Sequence, residues 1–149
     1  MPFERNLWDW LRSGLSEYIA DRRLHICRVE NSVMTGYPDV EGCFRGRSFH
    51  IELKGALRPA RRDSPVNIDI DRAQVLWLKR RWDAGGSCFV LLRVGQGQEI
   101  LRYLVLGSHA GSLEGGLKEE TIRGMSIVAP DSGQARIIER AAGYRDCRL

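Results

Sequence analysis

Gly36-Tyr37-Pro38-Asp39-Val40-Glu41-Gly42-Cys43-Phe44-Arg45-Gly46-Arg47-Ser48-Phe49-His50-Ile51-Glu52-Leu53-Lys54 is the stretch on which the reading of this chain turns. Val40 to Phe44 reads as a short strand, Arg45-Gly46 turns the chain, and Ser48 to Lys54 reads as a second strand. The two form a hairpin. Side chains alternate between faces in a strand, so Phe49, Ile51 and Leu53 share the core face and His50, Glu52 and Lys54 the other. Glu52 and Lys54 lie about 6–7 Å apart along that face. Asp39 opens the partner strand, at the same end of the sheet. Two carboxylates and an ammonium converge.

Outward from the hairpin, residues 4–22 predict an amphipathic helix, with Leu7, Trp8, Leu11, Leu15, Tyr18 and Ile19 along one face. Leu24 to Glu30 predicts a strand, and Gly36 and Pro38 mark Asn31 to Asp39 as a loop. Gly55 to Ile70 is polar, is broken by Pro59 and Pro65, and predicts a mobile loop. Asp71 caps a helix from Arg72 to about Ala84, with Val75, Leu78 and Trp82 inward and Gly85-Gly86 as its stop. Cys88 to Val94 is a continuous apolar run, as in a buried central strand. Gly95–Gly97 turns into a strand over Ile100–Leu106. The remainder shows only short helical and extended fragments. The order predicts an α/β domain with a central mixed β-sheet flanked by helices.

The 149 residues fit one domain, with a core at about 4–106 and an unassigned extension over 107–149. No apolar run approaches the ~18–20 residues of a membrane span, and Met-Pro-Phe-Glu-Arg is no signal-peptide core, which argues against secretion. Net charge is +4, and of 23 basic residues only Lys54, Lys79 and Lys118 are lysine. Arginine's planar fork suits phosphate, although a basic surface is also ordinary decoration. Cys27, Cys43, Cys88 and Cys147 form no C-x-x-C pair, so the sequence gives no zinc signal; the first three read as small buried hydrophobes in a reducing cytoplasm.

Phosphodiester hydrolysis requires neutralising charge at phosphorus and generating hydroxide near neutral pH. A hard divalent ion held by carboxylate oxygens serves both needs. Asp39 and Glu52 are the candidate metal ligands, the Leu53 carbonyl is a third oxygen, and Lys54 can orient water or stabilise negative charge. Pro-Asp and E/D-x-K each arise by chance about 0.3–0.4 times in a chain of this composition, so neither alone is specific. Their order, their 13-residue spacing and the shared hairpin are what single them out.

Pro38-Asp39 followed by Glu52-Leu53-Lys54 resembles the PD-(D/E)XK nuclease superfamily. Within it, residues 4–94 are similar to the VRR-NUC and archaeal-type Holliday junction resolvase branch, in particular its small phage-type members. Glu4-Arg-Asn-Leu-Trp-Asp-Trp-Leu-Arg12 resembles that branch's first helix, whose Glu joins the metal site. Arg28-Val-Glu-Asn-Ser32 resembles the strand before the hairpin, and Gln74 matches a Gln that often follows E-x-K. The resemblance implies a restriction-endonuclease-like fold. It implies a Mg²⁺-dependent endodeoxyribonuclease, with Mn²⁺ able to substitute, that acts on branched or structured DNA, often as a homodimer. Asp39, Glu52, Lys54, Gln74 and Glu4 are its implied catalytic residues. For Glu4 the alternative is a simple response to the helix dipole. Glu17 is the rival helix carboxylate, although it falls on the polar face; Glu30, at the end of a strand, is a second rival; and Glu41, which shares parity with Asp39, reads as surface. Arg58, Arg61 and Arg62 follow Lys54 in the Pro-broken loop and are candidates to bind DNA backbone, against a solvated basic loop. Trp77 and Trp82 read as packing, and His50 has no assigned role. A non-catalytic DNA-binding module, or a subunit of a larger assembly docking through its tail, is the competing class.

Overall fold

The computed structural model describes residues 2–31 and 33–145; Ser32 and Cys147 lie outside them. Five strands form one sheet in chain order: β1 (Leu24–Arg28), β2 (Val40–Phe44), β3 (Arg47–Ala56), β4 (Cys88–Val94) and β5 (Leu101–Leu106). All pairs are antiparallel except β3–β4, which is parallel because α3 (Arg72–Asp83) carries the chain back between them. The sheet is therefore mixed, as the sequence predicts. The hairpin register sets Val40 opposite Ile51, and Arg45 and Gly46 turn at φ 50° and 83°.

Both faces of the sheet are covered. On one, Phe49, Ile51, Leu53, Phe89, Leu91 and Leu104 pack against Leu7 and Leu11 of α1 (Pro2–Ser13) and Ile137, Ile138 and Ala141 of α5 (Gln134–Gly143). On the other, Val90, Leu92, Tyr103 and Val105 meet Val75 and Leu78 of α3 and Ile122 of α4 (Glu119–Met125). The residues after 106 thus supply side chains to both cores. A turn of 3₁₀ helix over Gly107–Leu113 joins them, placing Ala110 and Leu113 in the second core. Truncating a side chain as buried as Leu78 costs about 2–5 kcal/mol.

Several expectations change. The first helix is two: α1 ends at Ser13, and α2 (Ser16–Ala20) follows. Gly14 allows the break, since a Cβ there would sit 2.3 Å from Gln134 Cδ. Gln134 Nε2 instead donates to the Trp10 carbonyl at 2.9 Å, satisfying a helix-end acceptor. Tyr18 and Ile19 consequently belong to α2 and are only half-buried. The segment read as a mobile loop begins two residues later than expected, because Gly55 and Ala56 complete β3. Its second half is anchored: Val66, Ile68 and Ile70 are buried in alternation, and Val66 N–H donates to the Leu117 carbonyl at 2.7 Å. Of the described cysteines only Cys88 is buried. Cys27 and Cys43 are half-buried, on β1 and β2, pointing away from the first core. No helix of the described residues is long and apolar enough to cross a membrane.

Candidate active site

The site forms where the β2–β3 ladder ends. The last pair is Val40 with Ile51, so Asp39 sits one step beyond, opposite Glu52, and directly opposed strand residues face the same way. The Asp39 backbone carbonyl accepts from Val29 N–H at 2.7 Å, and its Oδ2 accepts from Leu53 N–H at 2.9 Å. Asp39 is thereby tied on one side to the residue that follows β1 and on the other to β3. Glu52 is 1% exposed and Lys54 6%. Lys54 Nζ lies 3.7 Å from Glu52 Oε1. The His50–Glu52–Lys54 face is a buried interface under α3 and not an open strand surface.

Gln74 completes the group. Asp71 Oδ1 accepts from Gln74 N–H at 2.9 Å, and Gln74 Oε1 accepts from Asp71 N–H at 3.1 Å, the reciprocal bonds of a capping box. With its oxygen so engaged, the amide must present Nε2 on the other side, and Nε2 donates to Glu52 Oε1 at 2.9 Å. The residue that starts α3 also orients the buried carboxylate. Gly36 brings the Asp39 loop onto the same helix: at φ 82°, a Cβ would lie 2.3 Å from the Ala73 carbonyl oxygen.

Glu52 Oε2 is buried and has no hydrogen-bond partner among the described residues. Burial first, then the Asp39 charge, pushes the Glu52 carboxyl up to about 9, with Lys54 pulling the other way. Two carboxylates forced together, with Glu52 Oε2 unpartnered among the described residues, suit a hard cation, since Mg²⁺ takes one or two carboxylates and completes its shell with water. The residues present fit that group in chemistry. Among the described residues there is no cluster of three His, Cys, Asp or Glu side chains that could hold a metal ion. Glu4, on α1 against the other face of the sheet, is therefore not brought in as a third such ligand. Glu17 and Glu30 are exposed; Glu30 follows Val29, whose N–H bonds the Asp39 carbonyl, yet among the described residues it completes no metal-holding cluster with Asp39 and Glu52.

The structure adds a cluster to which the sequence reading gave no role. Tyr37 Oη lies 3.2 Å from His50 Nε2 and donates to Glu41 Oε2 at 2.9 Å. The rings of Tyr37, His50 and Trp77 contact one another at 5.1–5.7 Å between centroids. Burial, and then the Arg81 charge, lowers the His50 pKa from its ordinary value. Glu41 is exposed, as expected, but ties this cluster to the loop that carries Asp39. The parity of His50 with Glu52 was the available signal; nothing local in the sequence tied Tyr37 to it.

The three loop arginines separate. Arg58 is committed: Nε and Nη2 donate to Glu119 at 2.7 and 3.0 Å, and Nη1 donates to the Glu99 carbonyl at 2.8 Å. It is not the free loop cation the sequence reading expected, because an acid 61 residues away completes it. Arg61 is exposed and pairs with exposed Asp63 at 3.7 Å, and Arg62 is exposed.

No family model matches this chain, and no curated protein matches it. Among solved structures it is similar to a Holliday junction resolvase of the archaeal hyperthermophile Archaeoglobus fulgidus. The TM-score is 0.50 at 17% sequence identity, over 89% of this chain and 98% of the other. That likeness carries the fold: a restriction-endonuclease-like mixed sheet with helices on both sides.

Proposed function

We propose that this chain is a metal-dependent endodeoxyribonuclease that hydrolyses phosphodiester bonds in branched or otherwise structured DNA. The observation that carries the reading is the Asp39–Glu52–Lys54–Gln74 group, a buried acid pair with an unpartnered oxygen and an adjacent ammonium. The similarity in fold to a Holliday junction resolvase supports the branched substrate. Nothing in the sequence reads base identity, so the reading includes no sequence preference.

Asp39 and Glu52 would hold Mg²⁺ or Mn²⁺. A strand residue's N–H and C=O point to the same edge, so the Leu53 carbonyl faces the Asp39 side beyond the end of the ladder, where it would add a third oxygen. Bound there, a divalent ion supplies charge neutralisation at phosphate and a more acidic water. Gln74 holds Glu52 Oε1 and leaves Oε2 for the cation. Lys54, buried beside that carboxylate, orients the attacking water or offsets negative charge developing at phosphorus. α1, which carries Glu4, packs on β3 through Leu7 and Leu11 and so bears on the position of Leu53. Arg61 and Arg62 contact DNA backbone, while Arg58 anchors their loop. Paired cuts on two strands need two sites, so a second copy of this chain is the partner the reading asks for.

The test is incubation of the purified chain with linear, nicked, flap and four-way DNA, with and without Mg²⁺ or Mn²⁺. Cleavage should require the metal, favour a structured substrate, and fall by about 10²-fold or more in Asp39→Asn. Binding without metal-dependent cleavage of any substrate would instead favour a DNA-binding module.

A further inference from the structure

β4 and β5 place Arg93 directly opposite Arg102. Opposed residues of an antiparallel pair share a face, with Cβ atoms about 4.5–5.5 Å apart, and like charges so placed repel. Both residues are half-buried, and the Nε of each is buried with no hydrogen-bond partner among the described residues. Neither makes an ion pair with a carboxylate among those residues. Their company is aromatic. The Arg93 guanidinium lies 5.3 Å from the Phe3 ring centroid and that of Arg102 lies 3.6 Å from the Trp10 centroid, both rings being on α1. A guanidinium over an aromatic face is attracted by the ring, but the ring accepts few of its hydrogens, and among the described residues no carboxylate pairs with either charge.

The contrast with Arg58 is informative, because that guanidinium, equally withdrawn from water, is matched by both oxygens of Glu119. Arg93 and Arg102 have the same need and, among the described residues, no such acid. Burial and the Arg93 charge both hold Arg102 below its usual pKa, the direction an anion would reverse. In backbone register the pair lies at the same end of the sheet as the candidate active site, on the sheet's other face. Arg93 is opposite Gly55 of β3, the residue after Lys54, although its side chain projects into the α1 face, away from Glu52.

We propose that Arg93 and Arg102 form an oxyanion site that takes a phosphate group, namely a phosphodiester of the nucleic-acid backbone. The phosphate chemistry follows from the two guanidiniums alone. The nucleic-acid source rests on the nuclease reading above. Free inorganic phosphate shares the chemistry, and the experiment separates the two.

Thermal melting of the full chain is followed in EDTA at constant ionic strength while chloride is replaced by sodium phosphate. The native chain should rise in Tm with saturation, and Arg93→Gln and Arg102→Gln should lose the rise. Arg102→Lys, which keeps a charge but not the fork, should retain part of it. A second arm measures duplex DNA affinity over a salt series, also in EDTA. Each Gln variant should make the slope of log K against log salt shallower by about 1, as one phosphate contact is lost. A phosphate effect with an unchanged DNA slope overturns the backbone source. An equal phosphate effect in native chain and variants, or none in the native chain, overturns the site. No arm requires cleavage, so a catalytically inactive protein would count against the nuclease reading and leave this result standing.

Discussion

Glu52 and Glu119 are acids withdrawn from water in one small domain, and their surroundings are opposite. Glu119 has both oxygens occupied: Arg58 donates to each and Tyr103 Oη donates to Oε2 at 2.5 Å. Its pKa is lowered, chiefly by the Arg58 hydrogen bond. Glu52 has one oxygen served by Gln74, the other without a donor among the described residues, and the Asp39 carboxylate for a neighbour; burial, the Asp39 charge and a hydrogen bond with the Asp39 side chain raise its pKa to about 9. An acid that only holds structure together is matched inside the chain. Glu52, the more deeply buried of the two, is the one left unmatched; such an acid destabilises the fold, and it persists where something outside the chain completes it.

The comparison can be broken in several places. The largest effect expected is on cleavage. Lys54→Met should lose it while keeping affinity for DNA measured in Ca²⁺, because neither carboxylate is removed and backbone contacts elsewhere dominate binding. A parallel fall in both would make Lys54 a DNA contact or a packing residue. Next is stability at the matched acid. Glu119→Gln leaves Arg58 and Tyr103 short of a charged acceptor and should destabilise by about 1–3 kcal/mol in denaturant melts near pH 7.

The pH dependence should split the two acids. Glu119, with a depressed folded pKa, contributes stability that is present above its ordinary value near 4.5 and lost as pH falls through the folded pKa. Glu52, raised from 4.5 to about 9, works the other way: the metal-free fold loses stability as pH rises across that window. Glu119→Gln should therefore flatten the acid limb of a stability–pH curve and Glu52→Gln the neutral-to-alkaline limb. The same slopes in native chain and variants would remove the contrast. The smallest effect concerns the loop. Arg61→Ala with Arg62→Ala should leave the fold unchanged and lower the salt slope of DNA binding by about 2, whereas Arg58→Ala should act mainly on stability.

The hairpin and its acids were legible because a strand's period of two admits only one placement of Glu52 and Lys54 once Arg45-Gly46 turns the chain. The Asp71 cap and the Gly85 stop were legible for similarly local reasons. What the sequence hid was long-range. Phe49 to Lys54 alternates in character, yet every position is buried, because α3 covers the face that polarity alone marks as solvent. Arg58 reads as a loop cation until Glu119 is brought to it across 61 residues. Val66-Asn67-Ile68-Asp69-Ile70 carried an alternation that the flanking prolines obscured, and Asp71-x-x-Gln74 was a capping box whose second use, holding Glu52, depends on where β3 lies.

The most direct measurement is the melting temperature of the native chain and of Glu52→Gln at pH 7, in EDTA and then across a Mg²⁺ titration. In EDTA the variant should be the more stable, by on the order of 1–3 kcal/mol, since an amide stands in for a carboxyl that burial forces to stay protonated. Mg²⁺ should then raise the native chain, narrowing or reversing the gap, and leave the variant nearly unmoved. A variant less stable in EDTA, or an equal response of both proteins to Mg²⁺, would contradict the claim that Glu52 is an acid held in readiness for a cation.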